Sequence, residues 1–290
     1  MVKIRVPATT ANLACGFDTL GCALNIYNTL SFEKADKLSF SGCAEEFANA
    51  DNLAWQGFRA VYEYMGQTAP TVHISICADI PVCRGMGSSA AMIAAGAVAA
   101  NEMTGAKLSR EELLSIVTPI EGHPDNLAPA LLGGLTASLM ADGRVRCAHY
   151  PVAPELRFTV LYPDYTLSTH LARAALPGEV PFGDAVFDIS RLALLPKALA
   201  EGDEELLSLC LRDKLHQPYR FSLIDEAEAL KAAAFENGAA AFAISGAGPT
   251  LLCMHDKADF AVRMEEAVKT CTHHWRVLSP TIDTTGASVI

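Results

Sequence analysis

From Val2 to Val6 apolar residues alternate with Lys3 and Arg5, so the chain opens as a half-buried strand, with Pro7 as its expected end. A polar loop, Ala8 to Gly21, is expected next and holds Thr9, Thr10, Asn12, Gly16 and Asp18. Asn52 to Met65 reads as a helix. Val72, Ile74, Ile76 and Ala78 alternate with His73, Ser75, Cys77 and Asp79, a strand that stops before Pro81. A long Ala-rich segment running to Met103 is apolar almost all round, which predicts a buried helix. Ser109 ahead of Glu111 and Glu112 starts another helix, reaching about Val117. Glu121 to Pro129 reads as a polar turn, and Gly133-Gly134 as a turn before a strand at Leu135 to Met140.

Pro151 and Pro154 mark the expected domain joint, dividing the chain into 1–152 and 153–290. Beyond it, Phe158 to Tyr162 reads as a strand, and Leu192 to Leu199 and Glu204 to Leu211 as helices. Ala240 to Ile244 and Thr250 to Met254 read as strands joined by Ser245-Gly246-Ala247-Gly248-Pro249, with an amphipathic helix at Ala258 to Lys269. Strands and helices mix in both halves, so the class is α+β or α/β. No repeat and no low-complexity tract interrupts the pattern.

The 290 residues suit about two domains at roughly 150 residues each. With 51% hydrophobic and 19% charged residues, the chain has ample material for buried cores. Its net charge of −11 and lack of a basic run speak against nucleic-acid or anionic-membrane partners. A local phosphate site built from backbone amides stays open. The nine cysteines include no Cys-x-x-Cys pair and read as apolar fillers in a reducing compartment. The N-terminus has no signal-peptide core, and Ala90 to Ala100 is too short to span a bilayer, which points to a soluble, cytoplasmic protein.

Three segments carry candidate chemistry. Pro81-Val82-Cys83-Arg84-Gly85-Met86-Gly87-Ser88-Ser89, then Ala90-Ala91, lies between a strand and a helix. Glycines allow close approach of backbone to ligand, and the free amides of a helix start attract anions. The same segment is also a tight turn with serine capping. It is neither a P-loop nor a Gly-x-Gly-x-x-Gly element. Glu121-Gly122-His123-Pro124-Asp125-Asn126 gathers carboxylates, an imidazole and an amide, suited to a divalent metal and an acceptor hydroxyl. Its bland alternative is an Asp-Asn helix cap after a proline turn. Ser245 to Pro249 alone is a hairpin turn. His273-His274 cannot chelate in an extended segment, Glu201 to Glu205 reads as an exposed helix start, and Trp55 and Trp275 as packing residues.

Taken in order, the three segments resemble the motifs of the GHMP small-molecule kinases, a superfamily that includes galactokinase, homoserine kinase, mevalonate kinase and phosphomevalonate kinase. Pro7-Ala8-Thr9-Thr10-Ala11-Asn12-Leu13, with Gly16-Phe17-Asp18-Thr19-Leu20-Gly21, is similar to the opening of homoserine kinases. Pro218-Tyr219-Arg220 and Ser245 to Thr250 fit the same family, so the resemblance covers nearly the whole chain. Ala14-Cys15 replaces the usual Gly-Pro, and Met86 the usual Leu. Neither change removes a polar group.

The resemblance implies an α+β, two-domain kinase, with a ribosomal-protein-S5-like N-terminal domain, a ferredoxin-like C-terminal domain and the active site between them. It implies that ATP lies against Pro81 to Ala91 and that Ser89 and Glu121 hold Mg²⁺. It implies L-homoserine as substrate, with Asp18 on the ammonium and Arg173 and Arg220 on the carboxylate. Asn12, His123, Thr169 and Gly246 would make further contacts, and Asp125 and Asn126 would orient the hydroxyl. O-phospho-L-homoserine, on the way to threonine, would be the product, and a homodimer is allowed. Two alternatives keep the fold: a kinase of another alcohol such as mevalonate, or a catalytically silent ligand sensor.

Overall fold

The computed structural model describes residues 1–290 and contains two antiparallel-based sheets. The first is built from β1 (Val2–Ala11), β2 (Leu20–Lys34) and β3 (Ser39–Ser41). After α1 (Leu53–Tyr64) come β4 (Val72–Ala78), α2 (Ser88–Thr104), α3 (Arg110–Glu121) and α4 (Leu127–Leu132). A hairpin of β5 (Leu135–Ala141) and β6 (Arg144–Tyr150) pairs with β2 through β5.

The second unit opens with β7 (Arg157–Pro163) and a helical stretch: α5 (Thr169–Ala174), α6 (Phe182–Leu192), α7 (Leu195–Glu201), α8 (Glu204–Cys210), α9 (Gln217–Arg220) and α10 (Ala227–Glu236). It closes with β8 (Ala241–Ile244), β9 (Leu251–His255), α11 (Phe260–Ala267) and β10 (Trp275–Leu278). Its sheet order is β10-β7-β9-β8. With helices between β7 and β8 and between β9 and β10, this is the split β-α-β arrangement of a ferredoxin-like domain.

The chain passes between sheets from Tyr150 to Arg157, but 153–290 does not stay with the second sheet. β11 (Ser288–Val289) pairs with β1, and Asp283 N–H donates to Ala23 O. The tail thus completes the first sheet.

Several local expectations need correction. Pro7 does not end β1: a register shift between Pro7 and Ala8 absorbs the missing donor, and the strand runs on to Ala11. The stretch Ala8 to Gly21 is therefore not one loop. It ends β1, makes a short 3₁₀ turn at Ala14–Gly16 and begins β2. Thr9 and Thr10 are buried because the helical layer covers them. α3 continues through Pro119 to Glu121, closed by Gly122 in the left-handed region. Pro129 sits in the first turn of α4, where no donor is required of it. Leu192 to Leu199 is broken into α6 and α7, with Pro196 starting the second. Glu201 closes α7, while Asp203 caps α8 by accepting from Leu206 N–H (2.9 Å).

The Ala-rich α2 is the central helix of the first unit, buried from Ala90 to Ala100 apart from Met92. Small residues let α1 and α2 nearly touch. A Cβ at Gly57 would lie 2.3 Å from Ile93 O, and one at Gly96 2.0 Å from Ala54 O. This fixes the direction of α2, whose N-terminus opens toward the second unit. Trp55 and Trp275 are both packing residues, and Trp275 Nε1–H donates to Glu226 (2.7 Å). No helix is long and apolar enough to cross a membrane.

Candidate active site

The loop between β4 and α2 is shaped by its glycines. Gly87 (φ 66°) forms the N-cap of α2, and a Cβ there would lie 1.8 Å from Thr9 Oγ1. Gly85 (φ 76°) passes so close to Ser245 that a Cβ would lie 2.3 Å from its carbonyl oxygen. Met86 is buried and anchors the loop, its carbonyl accepting from Thr9 N–H (3.1 Å). Ser245 Oγ–H donates to Gly85 O (2.7 Å), and Thr250 N–H to Arg84 O (3.2 Å). The Ser245 to Thr250 segment is therefore a brace for the glycine loop as well as a hairpin turn.

Arg84 spends its guanidinium on the carbonyls of Pro163 (2.9 Å), Asp164 (2.7 Å) and Val82 (3.1 Å). It straps the loop to the second unit. Leu167 N–H donates to Cys83 O (3.1 Å), adding to that strap. The side chains of Ala90 and Ala91 are buried, so their offering to a ligand is limited to backbone. Val82 is exposed, Pro81, Ser88 and Ser89 half-buried, and the unpaired amides of the first helical turn face outward by geometry.

The second motif ends α3. Ser89 Oγ–H donates to Glu121 Oε1 at 2.6 Å, bringing two hard oxygens together at the N-terminus of α2. Burial pushes the Glu121 carboxyl above its ordinary range, with partial relief from the Ser89 bond and His123. Asp125 is fully buried. Its Oδ1 meets His123 Nδ1 (2.6 Å) and accepts from Asn126 N–H (2.9 Å), while Oδ2 has no partner. Burial works against the His123 imidazolium, but the Asp125 hydrogen bond and the charges of Asp125, Glu121 and Asp18 raise its pKa on balance. Thr9 Oγ–H donates to Asn126 Oδ1 (2.7 Å) and so fixes the amide's orientation, leaving its NH₂ group on the Asp125 side.

The third group comes from both units. Asn12 Nδ2–H donates to Gly246 O (3.0 Å), and Asn12 Oδ1 accepts from Asp18 N–H (2.8 Å). Asp18 accepts two bonds from Arg173 (2.8 and 3.1 Å), which lies on α5 just after Thr169. Arg220, on α9, is only 1% exposed. Its Nε–H donates to Ala172 O (3.2 Å) and its Nη1–H to Gly246 O (3.3 Å), and no carboxylate pairs with it. The Phe17 ring lies beneath both guanidinium groups, at 5.1 Å from Arg220 and 5.5 Å from Arg173.

Asp18, Glu121, His123, Thr169 and Arg173 line one open cleft of about 630 Å³, together with Gly122, His170 and Ala174. Asn12, Arg220 and Gly246 stand behind its wall, linked to it by the bonds above. Asp125 and Asn126 are buried beside His123, outside the residues that line the cleft. Ligand atoms of Asp18, His123 and Asp125 lie within 4.8 Å of one another. In that trio Asp18 already accepts from Arg173, and His123 is hydrogen-bonded to Asp125. Another cavity, about 520 Å³, is lined by residues of α8, α9, α10 and β8 and contains none of the site residues named above.

Thr9, Phe17 and His216 also contact these residues, and the sequence reading gave none of them a role in the site. Thr9 and Phe17 lie inside the opening motif, and His216 stands two places before Pro218-Tyr219-Arg220, so position within the motifs was the available signal.

Comparison with known proteins agrees with this architecture. Residues 52–134 match the family described as GHMP kinases N terminal domain, and residues 195–272 match GHMP kinases C terminal. A homoserine kinase from Clostridium botulinum (strain 657 / Type Ba4) is 40% identical over 292 residues, covering 100% of this chain and 98% of that protein. Another from Gloeobacter violaceus is 40% identical over 294 residues, covering 99% and 98%. The crystal structure of homoserine kinase from Cytophaga hutchinsonii superposes with a TM-score of 0.91 at 28% identity, covering 100% of this chain and 97% of that one.

Proposed function

Because this chain belongs to the GHMP kinase family, and within it to the homoserine kinases, we propose that it moves the γ-phosphoryl group of ATP onto the side-chain hydroxyl of L-homoserine. The products are ADP and O-phospho-L-homoserine, a step towards threonine. The observation that carries the reading is the cleft's charge layout. A carboxylate, Asp18, and two guanidinium groups, Arg173 and Arg220, converge beside the Ser89–Glu121 oxygen pair. Those groups complement a zwitterion whose hydroxyl points toward a bound triphosphate.

In this reading the amides from Gly85 to Ala90 receive the phosphates, since glycine leaves their backbone open and the α2 dipole favours negative charge, while the Ala91 N–H already donates to Gly87 O (2.9 Å). Ser89 Oγ and Glu121 fit Mg²⁺, being hard oxygens already 2.6 Å apart, with a carboxyl that burial leaves short of positive charge. Bound there, Mg²⁺ would neutralise charge on the β- and γ-phosphates.

The Asp18–Arg173 pair is 33% and 44% exposed at its side chains, so it contributes on the order of 1 kcal/mol or less. A zwitterionic substrate can replace it at little cost, its ammonium taking Asp18 and its carboxylate taking Arg173 and Arg220. Planar forks of donors suit Arg to that carboxylate. The substrate hydroxyl then donates to the free Oδ2 of Asp125, while the Asn126 amide, held by Thr9, faces the transferring group. A loose transition state draws the hydroxyl proton away late, so orientation by Asp125 suffices. The free thiols of all nine cysteines support a reducing, cytoplasmic setting, and the family resemblance supports a homodimer.

The test is ADP release with Mg-ATP against L-homoserine, L-serine, L-threonine, mevalonate and galactose. Turnover is expected with L-homoserine first. Turnover confined to mevalonate or a sugar overturns the acceptor, and ATP binding without consumption by any of them overturns the kinase reading.

A further inference from the structure

Arg220 poses a physical problem. A guanidinium 1% exposed and lacking a carboxylate partner has to be held by neutral acceptors until a ligand arrives. Two of these are backbone carbonyls, Ala172 and Gly246. The third is His216 Nδ1, 3.4 Å from Arg220 Nη1.

The tautomer of His216 follows from its partners. Nε2 lies 2.9 Å from Ala14 O, and a carbonyl can only accept, so Nε2 carries the hydrogen. Nδ1 therefore offers a lone pair to Arg220, which can only donate. The contact to Arg220 holds only for a neutral imidazole, since a proton on Nδ1 would fill that lone pair, and burial lowers the His216 pKa in that direction. The charged groups around it are Asp213, whose Oδ2 is 3.6 Å from Nε2, then Arg220 and Asp18. Asp213 is itself occupied by the backbone N–H groups of Leu215, His216 and Gln217.

The same imidazole grips the opposite wall of the site. It stacks on Phe17 (centroids 5.0 Å apart, 25° between planes), the ring on which both arginines rest. Asn12, Ala14 and Asp18 have φ of 57°, 45° and 51°, a left-handed conformation that L residues rarely adopt. Such a loop keeps its shape only where surrounding contacts over-determine it. The His216–Ala14 bond acts at the middle of that loop.

We propose that His216 is a positioning residue for carboxylate recognition, setting Arg220 and the Asn12–Asp18 loop at a fixed distance from each other; this rests on the reading of Arg220 as a ligand of the substrate carboxylate. His216 touches neither ATP nor the reacting hydroxyl. Its influence passes through Arg220 and Phe17, so it discriminates substrates that carry a carboxylate from those that do not.

The test compares kcat/KM for L-homoserine with that for 3-aminopropan-1-ol, which is homoserine without its carboxylate. His216→Phe keeps the ring stack and removes both hydrogen bonds. It is expected to lower the homoserine-to-aminopropanol ratio at least tenfold, through KM for homoserine, with KM for Mg-ATP unchanged within twofold. His216→Asn, whose Oδ1 stands near the Nδ1 position, is expected to recover part of the ratio. If the Phe variant does not fold, His216→Leu carries the test, because it also withdraws the acceptor from Arg220. An unchanged ratio in these variants, alongside a collapsed ratio in Arg220→Gln, overturns the positioning role and leaves the substrate reading intact. A ratio unchanged in Arg220→Gln overturns the carboxylate reading and the proposal together. A parallel rise in KM for Mg-ATP marks general loosening of the site and also overturns it.

Discussion

Asp125 is the residue on which the chemistry turns. Its two oxygens differ: Oδ1 is engaged by His123 and Asn126 N–H, while Oδ2 is buried and unpartnered. An unpaired buried acceptor costs roughly 1–3 kcal/mol, which a substrate hydroxyl donating to Oδ2 would recover. Asp125→Asn retains one acceptor oxygen and removes the second. It is expected to lower kcat by about 100-fold, the lower end for a positioned acid–base group. KM for Mg-ATP should hold, and an unchanged circular-dichroism melt would show that folding is intact. Turnover equal to wild type would remove Asp125 from the mechanism. Motif order alone made Asp125, Glu121 and Ser89 legible in the sequence. The division of labour between Oδ1 and Oδ2 was not legible, because it depends on hydrogen-bond partners set by packing.

Among the elements, α2 has the largest consequences. The absence of a polar face predicted its burial, and the structure adds the reason for its alanines and glycines. Large side chains would hold α1 away and tilt the α2 N-terminus out of the cleft. Gly96→Ala tests this. Alanine in a helix normally gains roughly 1 kcal/mol over glycine. Here the new Cβ would lie 2.0 Å from Ala54 O, a backbone atom that cannot swing aside. Overpacking of this kind costs roughly 1–3 kcal/mol, and a contact so short belongs at the upper end. The net expectation is a loss of about 2 kcal/mol, read as a lower urea midpoint with an unchanged m-value. A gain in stability would show that α1 and α2 can part freely. Strands and helices fared alike, since α4 lay in a stretch read as a polar turn and α10 went unread. Alternation marked β4 well and an apolar run marked β7, whereas β2 and β6 escaped notice, β2 because it starts beside the turn-like Gly21 and later includes the buried Asn28.

Across the whole molecule, the site exists because the chain crosses between its two units more than once. Gly246 N–H donates to Ala11 O, Asn12 reaches Gly246, and Arg173 reaches Asp18 across 155 residues of sequence. The C-terminal tail makes the last crossing. Asp283 accepts from Tyr27 O–H (2.8 Å) and from the N–H groups of Thr285 and Gly286, while Gly286 packs so closely on Leu131 that a Cβ would lie 2.5 Å from its carbonyl oxygen. Removing residues 281–290 exposes the β1 edge and the end of α4, which leads back to Asp125. A loss of roughly 3 kcal/mol is expected, lowering Tm by about 5 °C, with homoserine phosphorylation falling in step. A truncated chain with wild-type Tm would show that the tail is an appendage. The sequence by itself determined a mixed class, α+β or α/β by its pattern and α+β by its family motifs, and the strand–loop–helix around the glycines, since periodicity and turn chemistry act over a few residues. Only the tertiary structure decided that Arg220 is buried without a counterion, that Thr9 orients Asn126 and that the tail closes the first sheet. Those outcomes depend on which distant surfaces meet when the core packs, and no local pattern encodes such a meeting.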